Sequence, residues 1–379
     1  MNVFVSVCDY SSEEYAAKLI GYIRNNVQGN IFVIGGRILR GLSDDKLTFL
    51  LDSVRYSSIG FFENLSLIPW MYLDYIKLRS FLEKTEIDLA ILFDSPAVNL
   101  KLIPIFKSKR SKIVYIIPPK TWSMQRTLIH KFIEDNCDLV IVPFKFNLKV
   151  YTGPNVYFVG HPIVDTIANQ EFEAKKNLDT VGIFPGSRSF EIKFVSKPVF
   201  QILDKIRDRF RKVWVSSTPN TQDYIVSKFG NRINKDFFLE SDYISMVSSI
   251  GLALAVSGTV VLKNSILSIP TISFYKVYKI SEFIFRKLKR ISVEKISLPN
   301  ILWEYEFEKG REKIVPELVQ EEYNPLQLLR TIDEVLVNYD YYLEKIKEFR
   351  RTFWQFYSPG TIRKISELIN DYFLQSKKG

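Results

Sequence analysis

The sequence is poor in the residues that build metal sites and disulfide frameworks. Its 379 residues include two histidines, His130 and His161, and two cysteines, Cys8 and Cys137. So few histidines argue against a multi-histidine zinc site. The cysteines lie far apart in apolar runs, without metal-ligand spacing, and such a pair indicates buried thiols in a reducing compartment. We therefore expect no metal site.

Signals for membrane insertion, secretion and nucleic-acid binding are also missing. There is no run of about 18 apolar residues, so we expect no transmembrane helix. The N-terminus MNVFVSVCDY lacks a basic n-region and a cleavage site, which predicts no signal peptide. The net charge of +10 favours acidic partners such as nucleotides, phosphates, nucleic acid or an anionic membrane. Without a basic tail or an RNA-binding signature, nucleic acid is the less favoured of these.

Short apolar runs alternate with helical stretches along most of the chain. This alternation predicts parallel sheets covered by helices on both faces. The length favours two domains, so we predict two doubly wound, Rossmann-like α/β domains with a ligand cleft at the carboxyl ends of the strands. The predicted strands are Val3–Val7, Ile31–Ile34, Asp88–Phe93, Ile113–Ile117, Leu139–Val142, Val156–Val159, Val181–Phe184, Lys212–Val215, Phe237–Leu239, Ile250–Ala255 and Thr271–Phe274.

Composition also suggests where the domains meet. After Gly160-His161-Pro162 the polar run NQEFEAKKN replaces the apolar runs, and from about Pro325 onward the sequence is strongly helical. We predict an N-terminal domain over 1–165, a C-terminal domain over 166–345 and terminal helices over 346–379. Ser11 with Glu14 predicts a capping box for the first helix.

Two strand-to-helix turns in the second half are suited to phosphate. In one, Ser257, Gly258 and Thr259 follow an apolar strand, and such a turn aims backbone N–H groups and a helix N-terminus at one point. In the other, IFPGSRSFEI, Ser187 precedes Arg188, which adds a permanent charge and a two-pronged donor. Together the turns predict a diphosphate site. The alternatives are an ordinary strand-to-helix connection and a surface ion pair of Arg188.

Two polar residues of the first half are candidates for catalysis. Asp94 follows the strand DLAILF, where a carboxylate at the carboxyl end of a parallel strand can accept a proton from an attacking hydroxyl. Its alternative role is to cap the next turn. His161 lies in a Gly-His-Pro sequence, where a structural role is favoured over a catalytic one.

The stretch from Gly60 to Leu82 is rich in aromatic, leucine and methionine residues and ends with basic ones. It predicts either a core helix pair or a surface that contacts lipid. Basic clusters at 107–112 (KSKRSK) and 286–290 (RKLKR) would add attraction to anionic headgroups, although a charge run is more often a solvated face.

Several motifs, in this order, resemble the lipid-A-disaccharide synthase family. They are FDSPAVN (93–99), PPKTW (118–122), VGHPIVD (159–165), FPGSRSFEI (184–192), SGT (257–259), SLPNIL (297–302) and VPELVQEE (315–322). The SGT and GSR pieces fit many sugar-nucleotide enzymes, whereas GHP, SLPNIL and PELVQ together are more specific. The motifs span nearly the whole chain.

The resemblance implies a GT-B fold, in which the C-terminal domain holds most of the donor nucleotide. It implies a metal-independent, cofactor-free inverting glycosyltransferase that joins UDP-2,3-diacylglucosamine to 2,3-diacylglucosamine 1-phosphate, giving lipid A disaccharide 1-phosphate and UDP. It also implies a cytoplasmic enzyme in peripheral contact with the inner leaflet. A homodimer formed by exchanged C-terminal parts is compatible with the family.

The family's site residues are transferred by motif. Asp94 matches the general base and Arg188, next to Ser187, matches the diphosphate-binding arginine. The nucleotide loop corresponds to Ser257, Gly258 and Thr259. The polar residues on the nucleotide side correspond to Asn300, Glu317 and Gln320.

Some positions depart from the family pattern. The first loop reads Cys8 to Glu13 where the family has Gly-Glu-Ala-Ser-Gly-Asp, so both glycines are absent. Lys263 replaces a glutamate that commonly accepts hydrogen bonds from the ribose, and lysine is a donor only. Two further functions therefore stay open: another UDP-GlcNAc-type transferase or 2-epimerase of the same fold, and a catalytically inactive paralogue that binds nucleotide or lipid.

Overall fold

The computed structural model describes residues 1–54, 68–119, 125–168, 177–188, 191–218, 221–230, 237–276 and 295–374. Its strands are β1 Val3–Ser6, β2 Ile31–Gly35, β3 Leu47–Asp52, β4 Leu89–Phe93, β5 Lys112–Ile116, β6 Leu139–Val142, β7 Val156–Phe158, β8 Thr180–Phe184, β9 Lys212–Ser216, β10 Phe237–Glu240, β11 Leu252–Val256, β12 Thr271–Tyr275 and β13 Glu317–Val319.

The α-helices alternate with these strands and then dominate the C-terminal part. They are α1 Tyr10–Ile23, α2 Arg37–Arg40, α3 Ile68–Lys84, α4 Pro96–Ser108, α5 Leu128–Asn136, α6 Val164–Ile167, α7 Lys197–Gln201, α8 Leu203–Arg207, α9 Gln222–Phe229, α10 Tyr243–Val247, α11 Thr259–Ile266, α12 Leu298–Tyr305, α13 Pro325–Val337, α14 Tyr339–Phe356 and α15 Thr361–Ile369. The expectation of a helical C-terminal part is confirmed.

The chain folds into two compact units. Unit 1 contains Met1–Asn169 and Tyr357–Gly379, and unit 2 contains Gln170–Phe356. The terminal segment predicted over 346–379 is divided between them, because α14 stays with unit 2 while α15 packs against α1 in unit 1. Asp165 holds the start of α15 in unit 1, because its carboxylate accepts hydrogen bonds from the backbone N–H groups of Gly360 and Ile362 at 2.5 and 2.6 Å.

Each unit is built on one parallel sheet, as the alternation of the sequence predicts. The seven-stranded sheet of unit 1 has the order β3-β2-β1-β4-β5-β6-β7, and the six-stranded sheet of unit 2 has the order β10-β9-β8-β11-β12-β13. The strand pairs in the described parts of the chain are parallel, and the strands β1, β4, β8 and β11 are buried at each of their residues. Strands buried on both faces explain the continuous apolar runs.

Three local features differ from the sequence-based expectation. The strands β3 and β13 were not predicted, and both lie at an edge of their sheet. The capping box of Ser11 and Glu14 is wrong: helix α1 begins at Tyr10, and the N-cap is Asp9, whose side chain accepts a hydrogen bond from the N–H of Ser12. Asp9 is as good an N-cap as serine, and it comes first in the chain.

Candidate active site

The turn after β8 already holds an anion supplied by the protein. The Oε2 atom of Glu191 accepts hydrogen bonds from the backbone N–H groups of Ser187 and Arg188 at 2.9 and 3.2 Å. The other carboxylate oxygen lies 3.7 Å from Nη1 of Arg188. Two successive N–H groups and a guanidinium are the donors that suit a phosphate. The turn therefore offers donors that suit an anion, and here the Glu191 carboxylate takes them and pairs with Arg188, which was the alternative role of the arginine. Phosphate binding at this turn stays a prediction.

Gly186 makes room for this carboxylate. Its φ angle is +100°, in the left-handed region, and a Cβ on this residue would overlap the Glu191 side chain. The Oγ atom of Ser196 donates to the carbonyl oxygen of Pro185 at 2.8 Å and holds the turn from behind. The glycine is thus required both by backbone conformation and by space.

The turn after β11 leads from the strand into helix α11 through Ser257 and Gly258. Ser257 continues the strand pairing, since its N–H donates to Phe274, and its Oγ donates to the carbonyl oxygen of Ile296 at 2.9 Å. Gly258 is the N-cap of α11 in an extended conformation. Apart from its two chain neighbours, no atom of the described residues comes within 4 Å of a Cβ built on Gly258. A ligand can therefore approach the backbone at the N-terminus of this helix closely.

Glu317 and Asn300 are engaged inside the protein. The Oε1 atom of Glu317 accepts from the N–H groups of Ile296 and Ser297 at 3.2 and 2.7 Å and from Ser297 Oγ at 2.6 Å, at the start of α12. Asn300, which is fully buried, donates to the carbonyl of Val315 at 2.8 Å and accepts from the backbone of the same segment. Glu317 thus holds the segment that contains Ile296, the hydrogen-bond partner of Ser257, whereas Asn300 ties α12 to Val315. A direct ligand contact of either residue remains a prediction.

The carboxyl edge of the unit 2 sheet brings most of the predicted donor residues together. The strands β8, β11, β12 and β13 are neighbours in the sheet. Arg188 follows β8, the Ser257–Thr259 turn follows β11, and Gln320 follows β13 with its N–H bonded to Tyr275 at the end of β12. Burial raises the pKa of Tyr275, and the nearby Glu191 carboxylate raises it further while Arg188 lowers it.

Lys263 directs its charge toward an aromatic ring. Its Nζ atom lies 5.3 Å from the centroid of the Tyr243 ring. The hydroxyl of Tyr243 donates to Oδ1 of Asn264 at 2.9 Å, so the ring is anchored to the same helix. The lysine is thus part of a local cation–π contact.

Asp94, in unit 1, has a strained backbone. Asp94 and Ser95 have φ angles of 42° and 44°, in the left-handed region that non-glycine residues rarely adopt. The carbonyl oxygen of Asp94 accepts hydrogen bonds from Nδ2 of Asn99 at 2.8 Å and from the hydroxyl of Tyr115 at 2.7 Å. Such conformations cost about 1–3 kcal/mol each and persist where surrounding contacts hold them. The strained conformation agrees with a functional role of Asp94, and its catalytic role stays a prediction.

Asn99 is the residue that sequence reasoning missed at this turn. It is fully buried, its Nδ2 also donates to the carbonyl of Phe93 at 2.9 Å, and its Oδ1 accepts from Ser6 Oγ at 2.6 Å. Asn99 therefore ties the end of β4 to β1. Its place at the end of the FDSPAVN motif was the only signal in the sequence.

The carboxyl edge of the unit 1 sheet places other polar groups near Asp94. The pKa of the Cys8 thiol is raised to about 12, chiefly by burial and in smaller part by the Asp9 carboxylate. Burial also raises the pKa of the Tyr15 hydroxyl well above its ordinary value, and the carboxylates of Glu14, Asp9 and Asp94 add to this shift. Asp9 and Asp94 follow the neighbouring strands β1 and β4, so the first loop contributes a carboxylate beside the predicted base.

His161 has the structural role that the sequence favours. It is buried between the rings of Tyr15 and Phe144, with ring centroids 6.0 and 4.9 Å away. Its Nδ1 accepts the N–H of Ile163 at 3.0 Å, which fixes the first turn after Gly160.

Exposed apolar side chains gather on two helices of unit 1. On α3, Trp70 and Tyr72 are 62% and 63% exposed, and Leu73 and Ile76 are exposed as well. On α5, Leu128 is 85% exposed beside exposed Ile129 and Phe132. Helix α4 contacts both α3 and α5, so the three form one row. Each of these helices connects two parallel strands and so runs from the carboxyl edge of the sheet back to the amino edge. The exposed groups are in the first half of α3 and of α5 and therefore lie toward the carboxyl edge, where Asp94 is found.

Leu78 and Leu82 of α3 pack in the core, as the core-helix interpretation of this stretch expects, and lipid contact of the exposed residues stays a prediction. The first part of the stretch, up to residue 67, lies outside the described residues, as does the basic cluster 286–290. The cluster 107–112 lies at the amino edge, where Lys109 donates to the carbonyls of Glu83 and Thr85 and Lys112 pairs with Asp138. No helix in the described parts of the chain has the length and apolar character to cross a bilayer.

Comparison with known proteins identifies relatives over nearly the whole chain. Residues 3–369 match the family model described as lipid-A-disaccharide synthetase. The lipid-A-disaccharide synthase of Nitrosococcus oceani is 28% identical over 94% of this chain and 92% of its own length. The synthase of Persephonella marina is 27% identical over 98% of this chain and 99% of its own.

Solved structures share the fold at low sequence identity. UDP-GlcNAc 2-epimerase from Neisseria meningitidis, bound to UDP-GlcNAc, aligns with a TM-score of 0.62 and 13% identity over 98% of this chain and 100% of its own. The Staphylococcus aureus MnaA–UDP structure aligns with a TM-score of 0.60 and 10% identity over 100% and 98% of the two chains. The predicted GT-B class, with two Rossmann-like domains and a helical C-terminal part, is confirmed.

Proposed function

We propose that this chain is an inverting glycosyltransferase of lipid A biosynthesis, because it belongs to the lipid-A-disaccharide synthetase family. It transfers 2,3-diacylglucosamine from its UDP conjugate to the primary hydroxyl of 2,3-diacylglucosamine 1-phosphate. The products are the β-1,6-linked disaccharide 1-phosphate and UDP. The observation that carries the proposal is the family match over residues 3–369, together with a strained Asp94 in one Rossmann-like unit and two phosphate-suited turns in the other.

Unit 2 holds the donor in this proposal. The Arg188 guanidinium and the N–H groups at the start of α11 contact the diphosphate, and Gln320 lies at the same sheet edge. Because the diphosphate gains negative charge as its bond to the sugar breaks, these donors stabilise the transition state more than the ground state. Glu317 contributes by holding the segment to which Ser257 is hydrogen-bonded, and Asn300 contributes by tying α12, which follows that segment, to Val315.

Asp94 in unit 1 acts as the general base. Its carboxylate removes the proton from the acceptor's primary hydroxyl while that oxygen attacks the anomeric carbon of the donor from the face opposite UDP. One displacement inverts the configuration at this carbon, and UDP departs with the bonding electrons. General-base help of this kind is typically worth about 10²–10⁴ in rate. Asn99 and Tyr115 hold the Asp94 backbone in its strained conformation and so set the direction of its side chain.

The exposed apolar groups of α3 and α5 form the proposed membrane contact. Both substrates carry acyl chains, and each methylene removed from water contributes about 0.8 kcal/mol. The apolar surface lies toward the carboxyl edge of the unit 1 sheet, on the side of the predicted base, and this position supports the proposed lipid contact. The proposed location is therefore the inner face of the cytoplasmic membrane. Homodimer formation stays a prediction from the family resemblance.

A two-substrate assay tests the proposed function. Purified protein is incubated with donor and acceptor, and the products are identified by mass spectrometry. The proposal predicts UDP and disaccharide 1-phosphate only when both substrates are present. Conversion of the donor without acceptor would favour a 2-epimerase, and binding of UDP without any turnover would favour an inactive paralogue.

A further inference from the structure

The turn that follows β8 in unit 2 and carries Arg188, here called the donor turn, contains an acidic side chain, Glu191, that the proposed mechanism does not use. Glu191 accepts both backbone N–H groups of the turn and lies 3.7 Å from the Arg188 guanidinium. These are the contacts that a phosphate oxygen would make there. The Glu191 side chain is only 11% exposed, whereas that of Arg188 is 45% exposed. The carboxylate is therefore built into the turn, and the arginine remains reachable from solvent.

We propose that Glu191 is an internal competitor for the donor diphosphate. In the free protein its carboxylate occupies the turn and neutralises part of the charge of Arg188. When a diphosphate binds, the Arg188 guanidinium pairs with it instead of with Glu191. When UDP leaves, the ion pair of Arg188 and Glu191 forms again. The residue thereby limits the affinity for the UDP product. This role rests on the proposed function, because it concerns the same diphosphate site.

Two electrostatic effects of the Glu191 carboxylate lower the affinity for the diphosphate. A carboxylate next to the diphosphate repels it, and the same carboxylate draws the guanidinium away from it. Replacing Glu191 by glutamine removes both effects. The amide oxygen of glutamine can still accept the N–H groups of Ser187 and Arg188, so the turn keeps its shape. The substitution therefore changes charge at nearly constant geometry.

Calorimetric titration with UDP and with uridine tests the role of Glu191. We expect Glu191→Gln to bind UDP about three- to tenfold more tightly than the parent. Uridine, which lacks the diphosphate, should bind both proteins equally. In an Arg188→Ala background the gain from Glu191→Gln should shrink, because the competition for the guanidinium is gone.

Unit 1 offers a matched control. Glu134 also accepts two successive backbone N–H groups, those of Thr152 and Gly153 at 2.5 and 3.0 Å, and it pairs with Arg126. Glu134→Gln makes the same chemical change away from the donor turn and should leave the UDP affinity unchanged. If Glu191→Gln fails to fold, Glu191→Asp replaces it: the shorter side chain withdraws the carboxylate from the Arg188 guanidinium, and a smaller gain in UDP affinity is expected because the charge itself remains.

The outcomes separate this role from the proposed function. A folded Glu191→Gln variant that binds UDP as the parent does, or more weakly, would overturn the competitor role while the proposed function stands. An equal gain in the Arg188→Ala background would also overturn it, because the effect would then be general charge. A parent protein that does not bind UDP would overturn both.

Discussion

Nδ2 of Asn99 lies 2.8 Å from the carbonyl oxygen of Asp94 and holds that residue in a left-handed conformation. Asn99→Ala removes this contact and leaves buried polar groups of Ser6 and Phe93 unpaired, which costs about 1–3 kcal/mol of unfolding free energy. We expect turnover to fall at least tenfold as Asp94 loses its direction, while the UDP affinity is retained.

Asn155→Ala is the matched control for this substitution. Nδ2 of Asn155 also donates to two backbone carbonyls, those of Glu134 and Cys137 at 2.9 and 2.7 Å, at a distance in sequence from the Asp94 turn. We expect a similar loss of stability without the loss of turnover in the folded fraction. Equal turnover in the two folded variants would contradict the positioning role of Asn99.

Gly258→Ala separates ligand binding from folding. Because the described residues leave room for a Cβ at this position and its φ of 172° is extended, the substitution should leave the melting temperature nearly unchanged. A methyl group in front of the helix N-terminus should nevertheless weaken UDP binding about tenfold by keeping phosphate away from the backbone. The control is Gly21→Ala on α1, which also has open space. Unchanged UDP affinity in Gly258→Ala would exclude this turn from the diphosphate site.

The α3 surface should govern membrane association. Replacing Trp70, Leu73 and Ile76 by serine removes exposed apolar area without changing the net charge. We expect less protein to float with vesicles of anionic phospholipid, since burial of apolar area stabilises the interfacial state. The control replaces exposed Leu326 and Val337 of unit 2 by serine and should float as the parent does. Equal flotation of all three proteins would rule out α3 as the docking surface.

Glu13 gives a pH-dependent signature of stability. Burial raises its pKa above the ordinary value of 4.5, against hydrogen bonds from the N–H groups of Gly36 and Leu39 that lower it. The folded state therefore binds more protons than the unfolded state just above that pH, and this contribution to stability is lost as pH rises through the folded pKa. Glu13→Gln lacks the titration. Its unfolding free energy relative to the parent should increase between about pH 4 and pH 7 in urea melts; a flat difference would contradict the shift.

Sequence patterns predicted the buried parts of the fold best. Strands β1, β4, β8 and β11 were expected because burial on both faces leaves continuous apolar runs. The edge strands β3 and β13 escaped prediction, since an edge strand has less need of such a run and β13 spans only Glu317–Val319. The sequence also indicated Arg188 and Gly258 by their turn signals.

The supporting contacts were not predictable in the same way. Asn99 reaches back to Ser6, and Glu317 reaches Ser297, across separations that depend on strand order. Glu191 stands close to Arg188 in the sequence, yet its place inside the turn depends on the φ of Gly186. No spacing rule in a single sequence reports such a backbone angle.

The turnover of Asp94→Asn, measured beside its UDP affinity, tests the central claim most directly. Asparagine keeps the size of the side chain but cannot accept the proton of the acceptor hydroxyl. We predict disaccharide formation slowed by about 10²–10⁴ with unchanged UDP affinity. Disaccharide formation at the rate of the parent protein would contradict the assignment of Asp94 as the general base.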